Sequence, residues 1–259
     1  MTDRIIPFQG VLNFRDFGGY ATPNGGRIKS GRLYRSAHHG RATDADLDAI
    51  AALGVTVIVD LRRPNERRHE PSRRHPAFAG QVIENETGEL VEDVLWAAMR
   101  NGEVSPDGFR ALMIDYYREA PFVPRHIDLY RRYFQVLGET EGAVLIHCAA
   151  GKDRTGLLAA LTHHLLGVSQ DDLTADYLLT NQALAIEQQL PLMMQAMAAK
   201  TDRPPSPEVV RVAMGVEAAY LHTAVAAIEA AHGTLNAYLR DVLGVDEALR
   251  RRVTQRLLD

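Results

Sequence analysis

The sequence predicts an α/β fold in which a mostly parallel central sheet is flanked by helices. Residues 55–60, "VTVIVD", and 143–148, "AVLIHC", are short apolar and β-branched runs, which are typical of strands buried on both faces. A helical pattern precedes each run, over 43–54 and 124–139, and another follows the second run, over 154–167. Strands that alternate with helices in this way indicate a parallel sheet.

The composition fits one folded domain that spans residues 1–259. Of the 259 residues, 46% are hydrophobic and 24% are charged, which is enough apolar material for a sizeable core. The formal net charge of −4 excludes a surface that is basic throughout, so we expect no nucleic-acid partner. No segment approaches the roughly 20 consecutive apolar residues of a membrane span, so we expect no stable membrane insertion.

The compartment is predicted from the cysteine content and from the first residues. Cys148 is the single cysteine, so an internal disulfide is impossible and nothing points to an oxidising compartment. The start, "MTDRIIPFQG", lacks the apolar run of a signal peptide. We therefore expect a cytoplasmic protein, although export by a route without a signal peptide would leave no trace in the sequence.

The first 36 residues predict short, irregular β structure. Glycine-rich turns lie in "NFRDFGGY" at 13–20 and in "TPNGG" at 22–26. Leu33 and Tyr34 follow as expected strand residues.

Capping residues predict where the helices begin. A Ser, Thr or Asp before a helical pattern accepts hydrogen bonds from the first free amides, and proline is favoured at the first helical position. The expected starts are Thr43 with Asp46 as a capping box, Ser105 followed by Pro106, Ser169, Ser206 followed by Pro207, and the neighbourhood of Asp246.

Two regions extend the predicted α/β core. Residues 85–123 hold an expected pair of helices, one over 90–99 and one that begins after Ser105, and the pair interrupts the strand-helix alternation as an insertion. Residues 168–259 carry helical patterns throughout, with a proline-rich hinge at 201–207, "TDRPPSP". We expect this helical region to belong to the same domain.

The single thiol lies where a strand gives way to a helix. Ligands of open α/β sheets bind at the carboxyl ends of the strands, and Cys148 follows such an end. A helix N-terminus favours negative charge, so we expect an anion site in this loop and a thiolate at Cys148. Arg154 follows six positions later, with a planar guanidinium that matches two phosphate oxygens. The expected phosphate-binding residues are Ala149, Ala150, Gly151, Lys152, Arg154 and Thr155.

A nucleophile beside an oxyanion clamp suits attack on a phosphate monoester. The sulfur of Cys148 would take the phosphoryl group as a phosphocysteine, and water would then release it. Thr155 can donate its hydroxyl to the departing sulfur. A small buried hydrophobe is the plain alternative for a lone cysteine. Two rivals from other classes are a phosphate-binding module without turnover and a sulfurtransferase.

The loop and four further segments resemble a known family. "HCAAGKDRTG" at 147–156 is similar to the HCx5R signature of the cysteine-dependent phosphatases, and its Lys152-Asp153 pair resembles the atypical bacterial tyrosine phosphatases of the PtpB and LipA type. The resemblance implies a cysteine-phosphatase-like fold and activity on phosphotyrosine, often with phosphoserine, phosphothreonine or phosphoinositides. It also implies a helical lid, whose place is taken here by 85–123. The other matching segments are "NFRDFGGY", "LYRSA", "VIVDLR" and "ADYLLTN".

Four carboxylates are candidates for the general acid that protonates the leaving group. Asp153 ranks first and Asp60 second, and Glu84 and Glu86, which follow a predicted short strand, rank below them. Asp153 lies inside the loop and is favoured by the resemblance, although the helix N-terminus and its cationic neighbours stabilise its ionised form. Asp60 ends the first buried strand at the same sheet edge as Cys148, and its alternative role is an ion pair with Arg62 or Arg63. The Trp-Pro-Asp loop of many tyrosine phosphatases is not seen, since Ala97 follows Trp96.

The remaining expectations concern ligands. Lys152 can hold a second anionic group, such as a neighbouring phosphate on an inositol ring, which would extend the substrates from phosphoproteins to phosphoinositides. We expect neither a metal nor another cofactor, because the pairs at 38–39 and 163–164 are sequence neighbours that rarely face the same way. The sequence predicts no oligomeric state.

Overall fold

A five-stranded sheet forms the centre of the molecule. The computed structural model describes residues 4–23, 25–87, 104–199 and 204–259. The strand order is β1-β2-β5-β3-β4, with β1 antiparallel to β2 and the other neighbours parallel. This architecture, with helices packed around a mostly parallel sheet, confirms the predicted fold class. The strands are β1 Arg15–Asp16, β2 Leu33–Ser36, β3 Val55–Asp60, β4 Gln81–Ile83 and β5 Ala143–His147.

Helices make up most of the rest of the described chain. The first seven are α1 Asp44–Ala52, α2 Pro64–His69, α3 Pro106–Glu119, α4 Pro124–Leu137, α5 Asp153–Leu165, α6 Gln170–Leu178 and α7 Thr180–Ala183. The last five are α8 Ile186–Ala198, α9 Pro207–Met214, α10 Ala218–His232, the single turn α11 Leu235–Ala237 and α12 Glu247–Leu257. A 3-10 turn at Ala120–Phe122 and a π-helical turn at Tyr238–Val242 complete the set.

The capping residues act as predicted. The side chains of Thr43, Ser105, Ser169, Ser206 and Asp246 each accept a hydrogen bond from an amide in the first turn of the following helix. Each therefore satisfies a donor that the helix itself leaves free. These contacts confirm the helix starts that the sequence predicts at these five positions.

The register of the central strands brings the site residues to one edge. All five residues of β5 are buried, and the strand pairs in parallel with β3 so that Asp60 lies beside His147. On its other side β5 pairs with β2, which places Ser36 beside His147. The three strands end at the same level, and the chain leaves β5 directly into the loop that carries Cys148.

The second helix of the expected lid is a core helix. In α3, Phe109, Met113 and Tyr117 face the main hydrophobic core, and their exposed fractions are 2%, 0% and 1%. The first expected helix, over 90–99, lies outside the described residues. The lid at 85–123 stays a prediction, and within it α3 packs its buried face against the main core.

A membrane-spanning helix must be both long and apolar, and the described helices differ from it. No single helix among them meets both requirements. Only α9 and α10 taken together reach them, as a pair bent by 47°.

Candidate active site

The loop between β5 and α5 presents free amides at the sheet edge. The carbonyls of Ala149, Ala150 and Gly151 accept hydrogen bonds from His38 N (3.1 Å), Asn13 Nδ2 (2.9 Å) and Arg35 Nη2 (3.0 Å). The N–H of a peptide unit points away from its carbonyl. Within the described part of the chain, none of the amides of 149–152 donates to a main-chain or side-chain acceptor. The loop is therefore a nest of unused donors, a backbone arrangement that suits an anion.

Gly151 allows this loop to close on the sheet. Its φ is +68°, and a Cβ at this position would lie 2.2 Å from the carbonyl oxygen of Ser36. A side chain would therefore meet both an unfavourable backbone conformation and a fixed backbone atom. The loop conformation depends on glycine here.

A buried ion cluster supports the loop from below. Arg35 donates from Nη1 to Asp176 Oδ2 at 2.8 Å, and Arg15 places Nε 3.6 Å from Asp176 Oδ1. Arg15 also donates from Nη2 to Thr180 Oγ1 at 3.0 Å. All of these side chains are buried. Two guanidinium groups face one carboxylate, so the cluster leaves a net positive charge beneath the anion site.

The charges in this cluster perturb one another. Burial and the neighbouring Arg35 lower the pKa of Arg15 to about 9. Burial raises the pKa of Asp176, but the two arginines outweigh it and bring the value to about 2. The cluster is therefore ionised at neutral pH. The segments "NFRDFGGY", "LYRSA" and "ADYLLTN" supply its members, so these three segments have a structural role beneath the loop.

Cys148 lies at the base of the loop. Its thiol is free, and the residue is only 2% exposed and counts among the buried residues of the main hydrophobic core. The charge of Cys148 is among the groups that raise the pKa of Arg154 and of Tyr116. Sulfur, guanidinium and phenol thus share one electrostatic environment. The hydroxyl of Thr155 is fully buried and has no hydrogen-bond partner among the described residues.

Arg154 is oriented by Glu66 from α2. Nη1 and Nη2 donate to the two carboxylate oxygens at 2.6 and 2.8 Å, and Nη1 also donates to the carbonyl of Leu61 at 3.2 Å. Burial raises the pKa of Glu66, but Arg154 outweighs it and lowers the value to about 2. Sequence reasoning missed Glu66, because the mixed-charge run at 62–74 looks like a solvated loop. The one local signal that Glu66 lies on a helix is Pro64, a residue favoured at the first helical position.

The free edge of Arg154 is suited to phosphate. Glu66 and Leu61 use both hydrogens of Nη1 and one of Nη2. The hydrogen on Nε and the second hydrogen on Nη2 have no partner in the described residues. These two donors lie on one edge of the planar guanidinium and can hold two oxygens at once.

Asp153 is held at both carboxylate oxygens. Tyr117 donates from its hydroxyl to Oδ1 at 2.9 Å, and Lys152 Nζ lies 3.4 Å from Oδ2. The same ammonium donates to the carbonyl of Ala213 at 2.8 Å and approaches that of Gly215 at 3.4 Å. In this arrangement Lys152 ties the loop to the end of α9, and its donors are engaged within the protein.

Asp60 occupies a closed ion pair. Arg62 donates to its carboxylate from the main-chain amide at 3.0 Å, from Nε at 3.0 Å and from Nη2 at 2.7 Å. His147 Nε2 lies 3.7 Å from Oδ2. Burial raises the pKa of Asp60, yet His147 and Arg62 hold it well below the ordinary range. The structure therefore favours the alternative role, the pair with Arg62, over that of a proton donor.

The histidine pairs do not form a metal site in the part of the chain that the structure describes. His39 Nε2 lies 3.0 Å from Ser36 Oγ and its ring stacks on His147. His163 Nε2 lies 2.7 Å from the carbonyl oxygen of Phe17. The Nε2 atoms of His39 and His163 are therefore each engaged in a local contact.

The whole chain was compared with known proteins. The sequence model of the tyrosine phosphatase family matches residues 6–259. The chain belongs to the tyrosine phosphatase family. It is 36% identical over 251 residues to the "Putative tyrosine-protein phosphatase" of Cupriavidus necator, across 95% of this chain and 86% of that protein. It is 30% identical over 285 aligned positions to the "Triple specificity protein phosphatase PtpB" of Mycobacterium tuberculosis, across 100% of both proteins.

Two solved structures show a more remote likeness to this phosphatase. TpbA of Pseudomonas aeruginosa is 21% identical with a TM-score of 0.29, over 71% of this chain and 87% of that one. The human tyrosine phosphatase-like serine/threonine/tyrosine-interacting protein is 13% identical with a TM-score of 0.33, over 70% of this chain and 88% of that one. These scores are low, and the family assignment rests on the sequence matches. It confirms the resemblance drawn from the loop motif.

Proposed function

We propose that the protein hydrolyses phosphotyrosine through a phosphocysteine on Cys148, without a metal. The observation that carries the proposal is the set of unused amides at 149–152, next in the chain to the free thiol of Cys148, together with the unused edge of Arg154, whose pKa responds to Cys148. These groups offer donors for three non-bridging oxygens of a phosphate in the position where sulfur can attack. The net positive charge of the Arg15, Arg35 and Asp176 cluster adds to the attraction for a dianion.

The first step forms one bond and breaks another. The Cys148 thiolate forms the P–S bond while the bond between phosphorus and the phenolic oxygen breaks, and Asp153 gives its proton to the leaving oxygen. Arg154 holds two of the phosphoryl oxygens through Nε and Nη2. Asp153 is preferred over Asp60 in this role, because the carboxylate of Asp60 is closed off by Arg62.

The second step releases the phosphate. Asp153, now a carboxylate, takes a proton from water as the water attacks phosphorus and the P–S bond breaks. The buried hydroxyl of Thr155 has no partner among the described residues, and it is the proposed donor to the departing sulfur. The free enzyme is then restored with a thiolate at Cys148 and a protonated Asp153.

We also propose phosphoserine and phosphothreonine as substrates, with phosphoinositides as the weaker extension. Support for this wider range of substrates comes from the relative that is named a triple specificity protein phosphatase. The proposed second phosphate site at Lys152 has less support, since the ammonium donates to Ala213 and lies near Asp153. A phosphorylated protein is therefore the preferred partner over a phosphoinositide.

One experiment tests this function. The purified protein is assayed with phosphotyrosine, phosphoserine and phosphothreonine peptides and with phosphoinositides, all in the presence of EDTA, next to Cys148→Ser. We expect the wild type to hydrolyse the phosphotyrosine peptide fastest and the variant to bind phosphate without turnover. Loss of activity in EDTA, or turnover by the variant, would overturn the proposal. Conversion of cyanide by thiosulfate would instead favour the sulfurtransferase.

A cytoplasmic location is part of the proposal. A catalytic thiolate is readily oxidised, and the cytoplasm keeps thiols reduced. Fractionation of the source cells, followed by detection of the chain, tests this location, and its recovery outside the cytoplasm would contradict it.

A further inference from the structure

A pair of buried tyrosines is linked by hydrogen bonds to Asp153, the proposed general acid. Tyr117 on α3 donates to Asp153 Oδ1 at 2.9 Å, and its oxygen lies 2.7 Å from the hydroxyl of Tyr177 on α6. We infer that Tyr117 is a positioning residue for catalysis, which fixes the carboxyl of Asp153 in the orientation for proton transfer. The inference rests on the proposed role of Asp153 as general acid.

The direction of the two hydrogen bonds follows from the donor count. A phenol has one hydrogen to donate. If Tyr117 gives its hydrogen to Asp153, the contact between the two phenols must be a donation from Tyr177 to Tyr117. Burial raises the pKa of both phenols, and the nearby Asp153 raises them further. Both hydroxyls therefore stay protonated and act as donors over the working range of pH.

This chain of donors selects the oxygen that carries the proton. The carbonyl-type oxygen of a carboxyl group is the better acceptor, so the bond from Tyr117 to Oδ1 favours the acidic proton on Oδ2, which lies 3.4 Å from Lys152 Nζ. A carboxyl that rotates freely would spread the proton over two oxygens and many directions. Holding one oxygen removes this freedom before the substrate arrives, which is how positioning lowers a barrier.

Tyr117 is itself held firmly by the core. The residue is 1% exposed, and its ring packs against those of Tyr177 and Tyr220 at centroid distances of 6.3 and 5.7 Å. Tyr220 on α10 offers a matched control, because its buried hydroxyl has no hydrogen-bond partner among the described residues. The titratable and charged groups around Asp153 are Tyr116 and Tyr117 from α3, Tyr177 from α6, Tyr220 from α10, and Lys152 and Arg154 from its own segment.

The experiment compares two substrates with different demands on the acid. Phosphotyrosine must expel a phenolate with a pKa near 10 in water, so it needs the proton. 4-Nitrophenyl phosphate expels a far more acidic phenol and depends little on it. kcat/KM is measured for both substrates over pH with the wild type, Tyr117→Phe, Tyr177→Phe, Tyr220→Phe and Asp153→Asn, together with the thermal unfolding midpoint of each protein.

For Tyr117→Phe we expect kcat/KM on phosphotyrosine to fall roughly 10-fold, which is part of the ~100-fold or more that a general acid supplies. The value for 4-nitrophenyl phosphate should change by less than about 2-fold, since a general acid contributes little where the leaving group needs no proton. The alkaline limb of the phosphotyrosine profile should move to higher pH, because the carboxylate loses a donor. Tyr177→Phe should show the same pattern more weakly, and Tyr220→Phe should match the wild type on both substrates.

Two results would overturn the inference. One is an equal loss on both substrates in Tyr117→Phe, which indicates a structural role. The other concerns the ratio of kcat/KM on phosphotyrosine to kcat/KM on 4-nitrophenyl phosphate. The inference fails if Tyr117→Phe and Tyr177→Phe both keep the wild-type ratio while Asp153→Asn lowers it. If Tyr117→Phe does not fold, the Tyr177→Phe profile decides by the same criteria. Failure of Asp153→Asn to show the selective loss would instead contradict the proposed acid.

Discussion

Arg154 and Glu66 form a two-point ion pair, with Nη1 2.6 Å from Oε2 and Nη2 2.8 Å from Oε1. The pair joins the start of α5, just after the loop that carries Cys148, to α2. Helix α2 follows β3, the strand that ends at Asp60. It fixes the plane of the guanidinium while leaving its Nε edge for a ligand. The guanidinium edge that we propose for phosphate is therefore oriented before any ligand binds, and this reduces the ordering cost of binding.

Replacing Glu66 by glutamine should weaken phosphate binding. The amide keeps the shape but removes the charge that aligns Arg154, so we expect the Ki of inorganic phosphate to rise roughly 10-fold, as for loss of a charge-assisted hydrogen bond. Inhibition kinetics measure this change, and Glu139→Gln on the exposed surface is the control. An unchanged Ki would contradict the role given to Glu66.

The same pair also predicts a pH dependence. The pKa of Glu66 is about 2 in the folded protein against an ordinary value of 4.5. The ionised carboxylate therefore stabilises the folded state. This contribution to stability is complete above about pH 4.5 and is lost as the pH falls toward 2. In urea unfolding, the difference between wild type and Glu66→Gln should therefore shrink over that interval.

Asp176→Asn should destabilise the protein and disable the loop. The change leaves Arg15 and Arg35 as two buried, unpaired cations, and breaking a buried pair costs about 3 kcal/mol or more. Urea unfolding measures the loss, and Asp171→Asn on the exposed face of the same helix is the control. A stability equal to that of the control would show that the cluster does not support the loop.

Gly151→Ala should displace the loop. The added Cβ would meet the carbonyl oxygen of Ser36 at 2.2 Å, and a shift of about 1 Å at a reacting centre can cost ~100-fold in rate. Gly233→Ala is the control, because Gly233 has a similar positive φ but a Cβ there would have nothing within 4 Å. It therefore shows the cost of the backbone conformation without a steric clash. We expect kcat/KM to collapse only in Gly151→Ala, and equal activities would contradict the account.

The part of the fold that depends on local pattern was predictable from the sequence. Buried runs identified β3 and β5, and Thr43 and Ser105 identified helix starts, because each signal lies within a few residues. Glu66 and Tyr117 were not predictable. Their roles depend on contacts with Arg154 and Asp153 that span 88 and 36 residues of chain, and neither residue carries a local mark of those partners.

Long-range contacts also explain why the sequence left both Asp60 and Asp153 as candidates for the general acid. From the sequence, Asp60 and Asp153 both lie at the carboxyl edge of the sheet, and only the folded chain reveals that Arg62 closes around the first. We expect Asp153→Asn to slow phosphotyrosine selectively over 4-nitrophenyl phosphate. Asp60→Asn should lower the unfolding free energy and leave the ratio between the substrates unchanged. A selective loss in Asp60→Asn would reverse the assignment.

The central claim is that Cys148 becomes phosphorylated during turnover. The direct measurement mixes the enzyme with a phosphotyrosine peptide, quenches in acid within the first turnover, and locates the phosphoryl group by peptide mass spectrometry. The account predicts a phosphoryl group on the peptide that contains Cys148, present in the wild type and absent in Cys148→Ser. Turnover in the wild type with an unmodified Cys148 at every quench time, or a phosphoryl group on another residue, would contradict it.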